Sequence, residues 1–183
     1  MSAALLVVDV QQGFHEPGWG RRDNPAFEAN LAALLADWRA RGAPVVLVRH
    51  DSVDAGSPLH PSRPGNALQP WVEGPHDLLV AKAVNSAFLG DVDLAAWLRG
   101  RGIAEVVVTG IQTNMCCETT ARVGANLGFA LSFVLDATHT FDLPAHGGGT
   151  IAADELARVT ASNIDPEFGR VVTTAEAVAS VSG

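Results

Sequence analysis

Short apolar runs alternate along the chain with segments of helical periodicity, and this pattern predicts strands and helices that follow one another in turn. The first run, Ala4–Val8, is continuous and ends at Asp9, as expected of a strand that is buried on both faces. Similar runs predict four further strands and a weaker sixth one, at residues 44–48, 77–81, 103–109, 130–135 and 171–173.

Between the apolar runs, large apolar side chains recur at the spacing of an amphipathic helix. In the first such segment they are Phe27, Leu31, Leu34, Leu35 and Trp38. Helices are also predicted at about residues 94–98, 115–127 and 151–162, with a short one near the C-terminus. Residues 51–76 are rich in Pro, Gly, Ser and His, so we expect a long irregular excursion there, which in a compact domain is usually functional.

Doubly buried strands that alternate with helices indicate a mostly parallel sheet with helices on both faces. Right-handed crossovers then give an α/β fold, a doubly wound three-layer sandwich with a central six-stranded, mostly parallel sheet. The length of 183 residues suits one domain, so residues 1–183 are expected to form a single unit. In such folds ligands bind at the carboxyl ends of the strands.

Composition narrows the range of functions. The chain has 12 basic and 20 acidic residues, a net charge of −8, which makes nucleic acid and anionic membranes unfavourable partners. No apolar run approaches the ~20 residues of a membrane span, and a signal peptide is not expected. The two cysteines, Cys116 and Cys117, are adjacent and cannot join distant segments, so a reducing cytoplasm is the expected location.

Cys116 is the first candidate for chemistry. It follows a predicted strand and a tight turn and opens a helix, where the helix dipole and backbone N–H groups favour a thiolate. A thiolate there can act as a nucleophile, and the same N–H groups can stabilise an oxyanion. The alternative is a buried structural cysteine. Cys117 lies about 100° further around the helix and is expected to serve packing.

Asp9 and Lys82 each close a predicted strand at the same edge of the sheet. Partial desolvation raises the pKa of such a carboxylate and lets Asp9 act as a base, whereas the plainer alternative is a helix cap or salt bridge. Lys82 can stabilise negative charge beside the thiol. It is the one lysine among twelve basic residues, which weakens the alternative of an ordinary surface lysine.

Four motifs carry a resemblance to a known family. They are LLVVDVQQGF at 5–14, KAVNSAF at 82–88, GIQTNMCCETTA at 110–121 and DATHTFD at 136–142. With Asp9, Lys82 and Cys116 in this order, the chain resembles the isochorismatase-like cysteine hydrolases, in particular their metal-independent amidohydrolase branch.

The resemblance implies a role for each of these residues. Cys116 would be the nucleophile, Asp9 would take its proton, and Lys82 would orient the pair. A cis peptide is implied at Ile111–Gln112, which would turn the Gln112 N–H toward the oxyanion beside that of Cys116. The implied reaction is thiolate attack on an amide or ureido carbonyl, loss of the amine, and hydrolysis of the thioester. No cofactor is implied, and a homodimer or homotetramer is expected.

A small-molecule substrate would meet a largely aromatic pocket. The residues expected to line it are Phe14, Trp19, His50, Trp71, Asn85, Phe88, Asn114, Met115 and Phe141. For any one of the aromatic residues, ordinary core packing is the alternative. His139 is expected to be a hydrogen-bonded loop histidine.

Two other functions remain open from the sequence. A nicotinamidase-like metal-assisted amidase would need an Asp-x-His motif with a later histidine, but here His50 precedes Asp51 and His60 follows, so no metal site is expected. A non-catalytic thiol redox or binding protein could use the Cys116–Cys117 pair, although that would leave Asp9 and Lys82 without a role.

Overall fold

The structure is a computed structural model that describes residues 3–180. Its eight strands are β1 (Ala4–Val8), β2 (Val45–His50), β3 (Leu78–Lys82), β4 (Glu105–Ile111), β5 (Ala130–His139), β6 (Leu143–Pro144), β7 (Thr150–Ile151) and β8 (Arg170–Val172). Six of them form one sheet in the order β3-β2-β1-β4-β5-β8, and every neighbouring pair is parallel. The predicted α/β fold with a six-stranded sheet is confirmed.

Helices cover both faces of the sheet. They are α1 (Phe27–Ala40), α2 (Leu94–Gly100), α3 (Glu118–Asn126), α4 (Ala153–Ile164) and α5 (Thr174–Ser180). Buried side chains of α1 and α5 belong to one hydrophobic core, and those of α2, α3 and α4 belong to a second core. The chain therefore forms the three layers that the alternation of strands and helices predicts.

The central position of β1 explains its unbroken apolar sequence. Leu5 and Val7 face the first core, whereas Ala4, Leu6 and Val8 face the second. Because successive side chains of a strand point to opposite faces, a strand with a core on each side needs an apolar residue at every position.

Two boundaries differ from the sequence prediction. The fifth strand continues beyond residue 135 to His139. The register of its pairing with β4 shifts between Val108 and Gly110. The last residues of β5 are mostly polar, so the apolar signal stops before the strand does. The predicted helix at about 115–127 starts instead with a π-helical turn at Thr113–Cys117, and α3 begins at Glu118.

The excursion at residues 51–76 is packed against the sheet rather than extended into solvent. Its side chains Leu59, Leu68 and Val72 are buried in the first core. The amide of Asn66, in a 3₁₀ turn at Pro64–Asn66, donates to the carbonyls of His50 and Leu59 at 3.2 and 2.8 Å. These contacts hold the excursion over the carboxyl ends of the strands.

Within residues 3–180, no helix combines the length and the apolar character that crossing a membrane would require.

The close approach of β1 and β4 requires glycine at position 110. Gly110 has φ of 123°, and a Cβ atom there would lie 2.0 Å from the carbonyl oxygen of Val8. Both the backbone conformation and the lack of space exclude a larger residue. This contact brings the end of β4, which leads to Cys116, close to the end of β1, which leads to Asp9.

We therefore expect Gly110→Ala to lower the free energy of unfolding by ~3 kcal/mol or more, because β4 must move away from β1. Gly100→Ala is the matched control, since a Cβ atom at this helical glycine meets nothing within 4 Å. Urea denaturation of both variants measures the difference. Equal stability of the two variants would contradict this account of the β1–β4 contact.

Candidate active site

Three neighbouring parts of the sheet bring Asp9, Lys82 and Cys116 together. Asp9 follows β1 with a positive φ of 53°, a conformation that costs a non-glycine residue about 1 kcal/mol or more. Its N–H donates to the Val48 carbonyl at 2.9 Å, and its own carbonyl accepts from the Gln11 N–H at 2.8 Å. These bonds hold the chain in the turn that leaves the Asp9 carboxylate fully buried.

Lys82 is the last residue of β3 and is 2% exposed. Its Nζ donates to Asp9 Oδ2 at 2.6 Å and to Cys116 Sγ at 3.4 Å, and lies 3.1 Å from His50 Nδ1. An ammonium group has three N–H donors, so each contact can use one of them. Lys82 is thus a buried ion-pair partner rather than a surface lysine.

Burial raises the pKa of the Asp9 carboxyl, although the Lys82 ammonium acts against this shift. A raised pKa makes Asp9 a stronger base than an ordinary carboxylate. Burial alone would lower the pKa of Lys82, but the Asp9 carboxylate and the Cys116 sulfur outweigh it and raise the pKa. Lys82 therefore stays positively charged beside Asp9.

The Cys116 thiol differs from the sequence prediction. Burial and the charge of Asp9 raise its pKa to about 12, while Lys82 lowers it less strongly. The prediction that the start of the helix favours a thiolate at Cys116 therefore has the wrong direction, because burial and the Asp9 charge raise the pKa. The raised pKa favours the protonated thiol, and Oδ1 of the neighbouring Asp9 carboxylate is buried without a hydrogen-bond partner.

The turn before Cys116 has an unusual backbone. The peptide bond between Ile111 and Gln112 is cis, as the family resemblance implies. The Gln112 carbonyl accepts from the N–H groups of Met115 and Cys117 at 3.1 and 3.2 Å, which closes the π-helical turn. Gln112 and Cys116 both line the cavity described next, and their function as an oxyanion hole stays a prediction.

A cavity of about 360 Å³ opens beside the thiol. Three aromatic rings form part of its wall, with ring centroids 4.8 Å apart for Phe14 and Trp19 and 5.7 Å apart for Trp19 and Phe141. Six of the nine residues expected to contact substrate line it, namely Phe14, Trp19, His50, Asn85, Met115 and Phe141. The carboxyl edge of the sheet is thus the place where a pocket meets the reactive side chains.

Trp71, Phe88 and Asn114 were also expected in this pocket, but they lie elsewhere. Trp71 packs edge-on against Phe27 and donates through its indole N–H to Gln69 at 2.7 Å. Phe88 stacks on a second phenylalanine in the core on the opposite face. The Asn114 amide oxygen accepts from the Thr140 hydroxyl at 2.5 Å, which ties the turn to the segment after β5.

Sequence reasoning missed Ser57, Leu59 and Leu143, which complete the cavity wall. The first two lie in the excursion at residues 51–76, and Leu143 belongs to β6. Hydrophobic periodicity in the sequence does not indicate how a loop lies over the edge of a sheet. The sequence therefore offered only the general expectation that the long excursion is functional.

His50, Asp51 and His60 were considered as metal ligands from the sequence. Within residues 3–180, neither Asp51 nor His60 belongs to a group that could hold a metal ion together with His50. Asp51 pairs with Arg49 at 2.8 Å, and His60 is a half-buried loop residue that contacts Ser62 at 2.8 Å. Burial and the Lys82 ammonium lower the pKa of His50, so its ring is neutral near pH 7.

A different set of possible metal ligands lies close together in the candidate active site. Within residues 3–180, ligand atoms of Asp9, His50 and Cys116 lie within 4.8 Å of one another, but the Lys82 ammonium contacts all three. The lysine thus takes the central place among these donors, and we assign no metal to them.

His139 and Cys117 are both buried. His139 ends β5 rather than lying in a loop, and its Nδ1 has no hydrogen-bond partner. The ring packs edge-on against Phe27 and Phe141, and burial lowers its pKa to about 3. Cys117 is fully buried in the second core, which fits the expected packing role.

The electrostatics of the thiol predict an unusual response to Asp9→Asn. Removal of the carboxylate charge lowers the pKa of Cys116 and leaves Lys82 to stabilise a thiolate, so alkylation by iodoacetamide at about pH 7 becomes faster than in the wild type. Peptide mass spectrometry measures the rate at Cys116. Asp54→Asn, in the exposed loop, is the control and should match the wild type. A slower reaction in Asp9→Asn would contradict the proposed effect of the carboxylate.

Comparison with known proteins gives a consistent result. The model of the isochorismatase domain matches residues 3–176. The isochorismatase family protein YrdC of Bacillus subtilis is 33% identical over 93% of this chain and 91% of its own length. The ureidoacrylate amidohydrolase RutB of Variovorax paradoxus is 30% identical over 97% of this chain and 81% of its own length.

A solved structure agrees with these sequence relatives. The crystal structure of an isochorismatase-family protein from Chromobacterium violaceum superimposes with a TM-score of 0.93. It shares 40% sequence identity and covers 99% of this chain and 94% of its own chain. This chain therefore belongs to the isochorismatase family of hydrolases.

Proposed function

We propose that this protein is a cysteine hydrolase that cleaves a C–N bond of a small amide, cyclic amide or ureido compound through a thioester intermediate. The observation that carries the proposal is the double contact of Lys82, whose Nζ lies 2.6 Å from the Asp9 carboxylate and 3.4 Å from Cys116 Sγ. This contact supports the proposal because it sets a carboxylate, a thiol and a positive charge beside one cavity, the three groups that the reaction needs.

In the proposed reaction Asp9 takes the proton of the Cys116 thiol as the sulfur attacks the carbonyl carbon. The N–H groups of Gln112 and Cys116 would hold the oxyanion of the tetrahedral intermediate. Asp9 then gives its proton to the departing amine, which leaves a thioester on Cys116. Water hydrolyses the thioester, with Asp9 accepting a proton from the water and the thiol regaining one.

The cavity favours a substrate with a flat group. Its aromatic walls suit stacking on a planar group, and Asn85 and Gln112 add hydrogen-bonding side chains near the thiol. Gln112 Oε1 is buried and has no hydrogen-bond partner in the free protein, which leaves an acceptor unsatisfied in a residue that lines the cavity. Planar amide and ureido groups supply N–H donors, and RutB is named for an amidohydrolase reaction.

The geometry of the site does not favour the two other functions that the sequence left open, a metal-assisted amidase and a thiol redox protein. Asp51 is paired with Arg49 and His60 contacts Ser62, which does not favour a nicotinamidase-like metal site. Cys117 is fully buried in the core, which does not favour a redox pair with Cys116.

A free thiol nucleophile suits a reducing compartment, so a cytoplasmic location is part of the proposal. A homodimer or homotetramer also stays a prediction, which sedimentation can check.

The direct test of the proposal is amine release from a panel of primary amides, lactams and ureido acids. We expect turnover of at least one class by the wild type and a loss of ~10³-fold or more in Cys116→Ser, because a hydroxyl is a far weaker nucleophile at this position. Cys117→Ser should retain activity. Hydroxylamine should trap the acyl group as a hydroxamate. Activity in Cys116→Ser equal to that of the wild type would refute the thioester route.

The aromatic wall predicts a second effect. Trp19→Ala removes a stacking surface, so KM for the best substrate should rise about tenfold, the equivalent of ~1.4 kcal/mol, with a smaller change in kcat. Trp97→Ala is the control, since that half-buried ring lies on α2 and contacts Arg101. Steady-state kinetics of both variants decide whether Trp19 contacts the substrate. An unchanged KM in Trp19→Ala would exclude such a contact.

A further inference from the structure

The mechanism above uses two of the three contacts of Lys82. The third is His50, the last residue of β2, which lies directly opposite Lys82 in the parallel ladder of β2 and β3. Its Nδ1 lies 3.1 Å from Lys82 Nζ, a hydrogen-bonding distance. The register of two neighbouring strands therefore places the imidazole against the ammonium.

The chemistry of the two groups fixes the roles in this contact. An ammonium can only donate, so His50 Nδ1 must be the unprotonated nitrogen that accepts. A neutral imidazole that accepts through Nδ1 carries its proton on Nε2, which fixes the tautomer. With Asp9 and Cys116 as the other acceptors, each N–H of Lys82 then has a partner.

The backbone of His50 is also held in place. The fully buried Gln11 accepts the His50 N–H through Oε1 at 2.9 Å and donates through Nε2 to the His50 carbonyl at 3.0 Å. Gln11 is fixed in turn by Gln69, whose amide donates to the Gln11 carbonyl at 3.1 Å. The imidazole thus approaches Lys82 from a rigid support, which is what a positioning group requires.

We propose that His50 is a positioning residue, whose unprotonated Nδ1 takes the third N–H of Lys82 and so keeps the ammonium directed at both Asp9 and Cys116. The inference rests on the proposed function for the part that Cys116 plays. Without the imidazole, the ammonium has an unpaired N–H at the edge of the cavity and can turn toward water there. The positive charge would then stabilise the Cys116 sulfur less well.

His50 also lines the cavity, so loss of activity in a His50 variant would not by itself distinguish positioning from substrate contact. A double-mutant cycle on thiol reactivity does so, because it needs no substrate. The rate of Cys116 alkylation by iodoacetamide is measured at about pH 9 in the wild type, His50→Ala, Lys82→Met and the double variant. His60→Ala, at the half-buried loop histidine that contacts Ser62, is the control.

We expect each single variant to react about tenfold more slowly, the equivalent of a rise of ~1 pKa unit in the thiol, because each weakens the effect of the ammonium. The double variant should react no more slowly than Lys82→Met. His50→Asn, whose side-chain oxygen can occupy the place of Nδ1, should recover most of the wild-type rate. His60→Ala should match the wild type.

Rate effects that multiply in the double variant would overturn the proposal, since His50 would then act independently of Lys82. So would a wild-type rate in His50→Ala. The ¹⁵N NMR signals of the His50 ring give a second test that needs no His50 variant: the Nε2–H tautomer is expected, with an Nδ1 shift that changes in Lys82→Met. A protonated Nδ1 would refute the contact. Absence of hydrolysis by the wild type would refute the proposed function alone.

Discussion

The buried ammonium of Lys82 is the interaction on which the site depends. Removing a lysine from water costs several kcal/mol, and only well-placed acceptors offset that cost. Here the Asp9 carboxylate at 2.6 Å supplies the compensating charge, while His50 and Cys116 occupy the remaining donors. Neither Asp9 nor Lys82 can be buried without the other. The carboxyl ends of β1 and β3, on either side of β2, must therefore lie at the same height in the sheet.

The parallel sheet satisfies this requirement without any contact between distant loops. In the order β3-β2-β1-β4, the strands that lead to Lys82, His50, Asp9 and Cys116 are consecutive, although these residues are far apart in the sequence. Parallel registers keep the strand ends level, and Gly110 allows β4 to approach β1 closely. The ends of the sheet strands therefore position Asp9, Lys82 and His50, while loop residues supply part of the cavity wall.

The contrast between residues at strand ends and residues in loops explains which features could be predicted from the sequence. Strands with two buried faces leave continuous apolar runs, and Asp9 and Lys82 at the ends of such runs could be placed on one edge. Residues of the cavity wall such as Ser57 depend on how a loop lies over that edge, and Phe88 faces the opposite core, which periodicity alone did not distinguish. The pKa of Cys116 depends on ångström distances to charges, so reasoning from the helix start alone gave the wrong direction.

The raised pKa of Cys116 fits the proposed chemistry better than a permanent thiolate would. In the resting site, Lys82 is the counterion of Asp9, and the thiol is neutral. When the thiol proton moves to Asp9, the negative charge moves to Cys116 Sγ, which the same ammonium already contacts. The net charge of the buried site does not change, so water need not enter to solvate it. In the proposed reaction the nucleophile would thus form beside the bound carbonyl, and a neutral resting thiol would react less with oxidants that attack thiolates.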